Sequence, residues 1–326
     1  MTAMICPQCQ HENSEDRLYC NICGVLLQQE AEEEPPESPA SAYRTPSGNE
    51  PPPLPHGGFG HITDSTFSVF GAHYLPFILI ALLPQIPLLV GGIMAQLGIG
   101  PAFTLIDAAL EQGVEPSEPL QISLWEMIGI ILSFALGILA GGATIYAAAR
   151  HFLGSPVLVQ RSYEYAWARF PRLLGATLIV VLILIAPAVL SAFVIGIPLL
   201  TFAIVVLLFV NHAVAIEQNG PTDAVRRSWN VVQGNWWRTF VLLMAIVLAA
   251  IGATLIIFLP AGLFMPPILL AMLSTAFSAF ITPIATIAIT VLYFDIRVRK
   301  EQYTHNDLAR ELGELDTAGP QYETGG

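Results

Sequence analysis

The stretch Gly220-Pro221-Thr222-Asp223-Ala224-Val225-Arg226-Arg227-Ser228-Trp229-Asn230-Val231-Val232-Gln233-Gly234-Asn235-Trp236-Trp237-Arg238 is the most polar, cationic and aromatic part of the second half of a very apolar chain. Val225, Ser228, Trp229, Val232 and Trp236 recur at i, i+3, i+4, i+7 and i+11, the spacing of one helical face. Arg226, Arg227 and Arg238 lie off that face, and a long apolar run begins at once. This pattern predicts a helix lying on a membrane surface and feeding a membrane-spanning helix. Arg226, Arg227, Trp229, Trp236 and Arg238 are accordingly expected at lipid headgroup level.

The rest of the chain agrees with a membrane reading. It has 326 residues, of which 54% are hydrophobic and only 12% charged, with a mean hydropathy of +0.62. A soluble globular domain carries about twice that share of charge. No basic segment followed by a short apolar one opens the sequence, so no cleavable signal peptide is expected. The formal net charge of −12 argues against nucleic acid as a partner.

Six spans are predicted, at residues 70–97, 122–149, 173–194, 197–216, 238–259 and 267–294, each close to the roughly 20 residues that cross a bilayer core. Arg150, Arg161, Arg169 and Arg172 follow span two, Arg226, Arg227 and Arg238 follow span four, and Arg297, Arg299 and Lys300 follow span six. The opposite connections contain no Lys or Arg, and the first carries Asp107, Glu111, Glu115 and Glu118. Basic connections stay in the cytoplasm, which places both termini there and the protein in the cell membrane.

Setting residue n against n+66 reveals an internal repeat. Gly154 matches Gly220, Arg161-Ser162-Tyr163 matches Arg227-Ser228-Trp229, Phe170 matches Trp236 and Arg172 matches Arg238. Arg161 and Arg172 therefore join the expected headgroup contacts. Asp64, Thr66, Phe67, Phe70 and Tyr74 sit in the same register and suggest a third copy. Each unit is read as an interfacial helix followed by a helical hairpin; the competing reading is chance likeness among basic juxtamembrane helices. Pro84, Pro87, Pro187 and Pro283 are expected to kink their spans, and Gly137, Gly141 and Gly142 to admit close helix contact. No Asp, Glu, Lys or Arg lies near the middle of a span, whereas ion-coupled carriers generally need such groups. His212 is expected to be a packed or interfacial histidine. Asp295 is expected to form a structural ion pair with Arg297, Arg299 or an arginine of a neighbouring unit.

All four cysteines lie at the N-terminus. Cys6-Pro7-Gln8-Cys9 and Cys20-Asn21-Ile22-Cys23 are two CxxC pairs separated by ten residues. Two such turns can present four thiolates to one ion, which suits a structural Zn²⁺ with one zinc per chain. Two disulfides or a redox pair are the alternatives; a cytoplasmic location and the lack of a βαβ pattern weigh against them. Residues 28–60 are acidic and proline-rich, a composition that predicts a disordered linker. The expected domains are thus a zinc ribbon at 1–27, a linker at 28–60, an all-α six-helix membrane domain at 61–302 and a flexible tail at 303–326.

Residues 1–27 resemble the short zinc-ribbon module found at the N-terminus of many bacterial and archaeal membrane proteins. Gly24 fits the second knuckle turn of that family, while Gln10 stands where the first knuckle usually has Gly. Residues 60–302 resemble the membrane domain named after glycerophosphoryl diester phosphodiesterase. The resemblance rests on Gly220–Arg238, on Ile281-Thr282-Pro283 and on the exit Tyr293-Phe294-Asp295-Ile296-Arg297-Val298-Arg299-Lys300-Glu301. In some members of that family a catalytic barrel follows. Here the sequence after this exit leaves no room for a barrel of about 250 residues, so no enzymatic activity is expected. The first functional expectation is a non-enzymatic membrane scaffold or regulatory subunit, whose partners are the bilayer and a protein that recognises the zinc ribbon. A permease or lipid-handling protein is the alternative, which a wide apolar cavity between repeats would favour. A phosphodiesterase accessory role comes third.

Overall fold

The computed structural model describes residues 3–5, 12–14, 52–55, 57–99, 102–104, 121–194 and 196–314. Cys6, Cys9, Cys20 and Cys23, most of the linker and the acidic connection at 107–118 lie outside the described residues. Strands β1 (Ala3–Ile5) and β2 (Glu12–Ser14) pair antiparallel, with Ile5 opposite Glu12.

The membrane domain is helical. Its elements are α1 (Phe59–Ala72), α2 (Tyr74–Leu82), α3 (Gln85–Gln96), α4 (Leu124–Phe152), α5 (Val159–Ala168), α6 (Phe170–Leu190), α7 (Gly196–Leu207), α8 (Val210–Ala215), α9 (Pro221–Val232), α10 (Trp236–Phe264), α11 (Pro267–Glu301) and α12 (His305–Leu312). The exception is a two-stranded ribbon of β3 (Ala102–Thr104) and β4 (Gln121–Ser123), between α3 and α4. Five segments are long and apolar enough to span a bilayer: α4, α6, α7 with α8, α10 and α11. Their outer faces are bare hydrocarbon, with Leu182, Ile256 and Phe264 all largely exposed. Such surface is stable only against lipid or another apolar partner.

The first expected span, 70–97, is not one helix. The chain bends by 84° between α1 and α2 and breaks again at Leu83 and Pro84. Pro84 has no N–H to give the carbonyl of Ile80, four residues earlier. The hydroxyl of Tyr163 on α5 donates to that carbonyl instead, at 2.7 Å. A carbonyl released by proline is therefore used in packing. Pro187, Pro260 and Pro283 sit inside continuous helices.

Helices α4 and α11 form the centre: α4 touches α2, α3, α5, α6, α8 and α11, and α11 touches α1, α2, α3, α4 and α10. A close backbone approach joins α3 to α4. A Cβ on Gly91 would lie 2.6 Å from the carbonyl oxygen of Trp125, and one on Gly129 equally close to that of Pro87. Of the three glycines expected at helix contacts, Gly142 does face Leu173 of α6, whereas Gly137 and Gly141 face open space. Small residues allow close contact only where a neighbour lies on their side of the helix.

Helices α1, α5 and α9 each precede a membrane helix and share one pattern of burial. Thr66, Ser162 and Ser228 are buried at equivalent positions, as are Phe70, Ala166 and Val232. On α9 the inward face is Ala224, Ser228, Val231 and Val232, and Trp229 is turned outward. The predicted face was therefore rotated by a fraction of a turn. Gly234, at φ +86°, makes the turn that ends α9; Trp236 belongs to the next helix.

The segment before α1 meets the segment after α11 on one face of the bundle. The Gly57 carbonyl accepts from Arg299 at 2.6 Å, and a His305 ring nitrogen lies 2.9 Å from the carbonyl of Pro52. Beyond the five spanning segments, α1 and α2 pass for a span only when the bent pair is taken together, and α3 is a shorter apolar helix. At 9 and 12 residues, neither α2 nor α3 alone reaches across a core of about 30 Å at 1.5 Å per residue.

Two domain boundaries move. Leu54 is buried among core residues, so the chain joins the bundle before residue 61. Residues 303–314, expected as a flexible tail, carry the docked helix α12. Thr304 and Asp307 form a reciprocal capping box, Gly313 ends the helix at φ +73°, and Leu308 and Leu312 are buried one turn apart.

Candidate functional site

Charged side chains from seven segments of the chain meet on the face where the segments before α1 and after α11 lie. Helix α11 organises them through its final turns. Residues two apart on a helix point roughly opposite ways, while residues four apart share a side. Asp295 and Arg299 therefore form one stripe, and Tyr293, Arg297 and Glu301 another.

The first stripe faces the N-terminal segment and α10. Asp295 is fully buried; its carboxylate lies 3.1 Å from Arg299 and 2.9 Å from Arg238. It also accepts from the Gly57 amide at 3.0 Å. The Gly57 carbonyl in turn accepts from both arginines. Two guanidinium groups against one carboxylate leave this cluster with a net charge of +1, and Arg238 Nε is buried with no hydrogen-bond partner.

The second stripe faces α9 and α12. Arg297 makes two bonds of 2.8 Å to Glu311, one of 3.0 Å to Glu301, and lies 3.5 Å from Glu217. Its guanidinium sits 3.7 Å above the centre of the Tyr303 ring. Glu217 also accepts from Arg227 at 2.7 Å and from the Tyr293 hydroxyl, and Glu301 accepts from Arg227. Burial alone would lower the pKa of Arg227, but the hydrogen bond it donates to Glu301 and the charge of Glu217 outweigh it and raise the pKa. Burial raises the phenol of Tyr303 far above its ordinary value, opposed by Arg297 and reinforced by Glu311. Lys300 caps the C-terminal carbonyls of α9 at Asn230 and Gln233.

A third cluster joins α4 to α12. Arg150 is buried and bonds Glu314 at 2.8 Å, with Tyr146 alongside. Arg161 comes within 3.8 Å of the same carboxylate but stays 55% exposed.

The expected site residues thus divide. Asp295 does pair with Arg299 and with an arginine of another unit, Arg238; Arg297 turns to the opposite side and pairs with Glu217, Glu301 and Glu311. Arg227 and Arg238, expected at lipid headgroups, are committed to internal carboxylates. Arg161, Arg226 and Trp229 remain outward, Arg172 reaches only the Gln218 carbonyl at 3.4 Å, and Trp236 is half-buried beside Trp237 and Phe240. His212 is buried in the bundle against Thr290 at 3.2 Å, which fits the packed reading. Glu217, Glu301, Glu311 and Glu314 were not singled out from sequence. Only Glu301 carried a local signal, as the acidic residue that directly follows Arg297, Arg299 and Lys300.

Every carboxylate of these three clusters faces a guanidinium, and none stands beside a free nucleophile. What the arrangement can do chemically is fasten segments together. A separate feature lies among the apolar helices. A cavity of about 500 Å³ opens between α1, α10 and α11, and a smaller one of about 300 Å³ adjoins it through Ile62 and Leu242 and reaches Trp237 and Arg238.

Fold and site together define a polytopic helical membrane domain closed by ion pairs on one face. The chain belongs to a family defined by a domain of unknown function (DUF7847), which matches residues 75–296. No curated protein and no solved structure matches it.

Proposed function

We propose that the protein is a non-enzymatic integral membrane protein of the cell membrane, a scaffold or regulatory subunit that displays a zinc ribbon at the cytoplasmic face. The observation that carries this reading is the use made of the charged face. The carboxylates of Glu217, Asp295, Glu301, Glu311 and Glu314 are all spent on guanidinium partners within the domain. The exit from the last span, Tyr293 to Glu301, carries the resemblance to the phosphodiesterase-associated membrane domain. Its charged residues make structural pairs, so the resemblance is one of membrane architecture. The positive-inside rule supports a cytoplasmic position for the face that gathers Arg150, Arg161, Arg226 and Arg238.

Cys6, Cys9, Cys20 and Cys23 are the proposed ligands of one structural Zn²⁺ per chain. Four thiolates leave no open coordination position, so the metal would stabilise the module and not act on a substrate. Metal analysis of purified protein is expected to give one zinc per chain, and Cys9→Ser or Cys20→Ser to lose it; no zinc in the parent would overturn the assignment. Affinity capture from detergent extracts is expected to recover a protein partner that disappears when residues 1–51 are removed. Hydrolysis of glycerophosphodiesters by the purified chain would refute the non-enzymatic reading. The cavity beside α10 favours a second reading, lipid handling, because its lining suits hydrocarbon and not a polar solute.

A further inference from the structure

Helix α10 is the least supported membrane helix: only 6% of its most apolar window is buried within the protein, against 44% for α4. Its inner side presents Ala245, Ala249 and Ala253, and α11 presents Ala285 and Ala288 opposite. Alanine faces of this kind ordinarily let two helices close on each other. Here they stand apart around the 500 Å³ cavity. Water is a poor occupant, since the lining offers almost no polar partner; the Thr66 hydroxyl is already bonded to the Ile62 carbonyl at 2.7 Å. An empty cavity would forfeit the dispersion contacts of every lining atom. Hydrocarbon is the occupant the lining suits.

The charge at the headgroup end completes the site. From Arg238 to Ala253 the wall runs 15 residues along α10, about 22 Å at 1.5 Å per residue, comparable with the roughly 15 Å depth of one leaflet. The smaller cavity joins this wall to Trp237 and Arg238. Arg238 belongs to the cluster of net charge +1 and has an unpartnered Nε. We propose that the groove between α1, α10 and α11 binds one phospholipid with an anionic headgroup, an acyl chain along the alanine wall and the phosphate on Arg238. Binding of this kind needs no transport, and it deepens the lipid-handling reading without depending on the scaffold reading.

The test is native mass spectrometry of the full chain, extracted from nanodiscs containing equal phosphatidylglycerol and phosphatidylcholine. One retained phosphatidylglycerol per chain is expected. Ala249→Phe, which fills the groove, is expected to cut retention at least tenfold while thermal unfolding and gel-filtration volume stay unchanged. The double variant Arg238→Gln with Asp295→Asn removes both charges together; it is expected to keep a lipid but lose the preference for phosphatidylglycerol. No retained lipid in the parent, equal retention by folded Ala249→Phe, or a disulfide dimer formed through Ala253→Cys would each overturn the proposal. If Ala249→Phe fails to fold, Ala250→Leu replaces it and is judged by the same retention. Retention without lipid movement between vesicles would leave the site standing and sink lipid handling alone.

Discussion

Arg161 and Arg227 hold the same place in helices α5 and α9, and Arg172 and Arg238 the same place at the start of α6 and α10. Their environments differ sharply. Arg161 is 55% exposed and 3.8 Å from its carboxylate, whereas Arg227 is 23% exposed and bonded to both Glu217 and Glu301. Arg172 reaches a backbone carbonyl, and Arg238 a fully buried aspartate. Ser162 donates only to the carbonyl of Leu158 in its own helix turn. Ser228 donates to Val206 and accepts from the Phe209 amide, so it ties α9 to the turn between α7 and α8. A repeat sets where a side chain stands; the acidic residues supplied by α11 and the loop after α8 decide what it does there.

Paired substitutions can break this contrast. Arg238→Ala leaves Asp295 paired with Arg299 alone and is expected to cost about 1–3 kcal/mol through the lost charged hydrogen bonds, while Arg172→Ala stays within about 0.5 kcal/mol. Thermal unfolding in detergent measures both, and equal losses would refute the division of roles. Arg227→Ala should cost about 1–3 kcal/mol through two lost charged hydrogen bonds, discounted for its partial exposure. Arg161→Ala should barely register on the same scale. Ser228→Ala strands a buried amide and a carbonyl, for about 1–2 kcal/mol. Ser162→Ala should be near neutral, since a bond from serine to its own helix contributes little.

The smallest effect concerns α12, which touches both halves through Glu314 at Arg150 and Glu311 at Arg297. Asp307 caps this helix, and hydrogen bonds from the Thr304 hydroxyl and amide hold its pKa below 3.8. A lowered carboxylate pKa contributes stability above the unfolded value and loses it as pH falls through the folded one. Hydrogen exchange in α12 should therefore be unchanged from pH 7 down to about 4.5 and rise only below the ordinary aspartate pKa. Asp307→Asn should remove that pH step. A step near pH 6 would point to another group.

Much of the bundle was legible because hydrocarbon demands long apolar runs. Five of six spans and the basic connections follow from that requirement, as does the register shared by Thr66, Ser162 and Ser228. The broken first span was harder to see. Pro84 announced a missing donor, but the rescue of the Ile80 carbonyl by Tyr163 depends on a residue 83 positions away. The site was partly legible in the same sense. Asp295 and Arg299 follow from i, i+4 spacing, and the separation of Arg297 from Asp295 follows from their two-residue offset. The destination of Arg238 could not be read locally, because its partner arrives from the last helix. The α12 helix had local signals in Thr304, Asp307 and Gly313; short length and the acidic stretch around it concealed them.

Gly57 gives the molecule a mechanical property. Its amide is held by Asp295 and its carbonyl by Arg238 and Arg299, so the peptide units on both sides of this one residue are clamped. Tension applied through the preceding chain would reach α10 and α11 at that clamp before it could peel α1 from the bundle. A pull on the N-terminal side would thus strain the membrane helices directly, as a rope strains a cleat and not the deck planks beyond it.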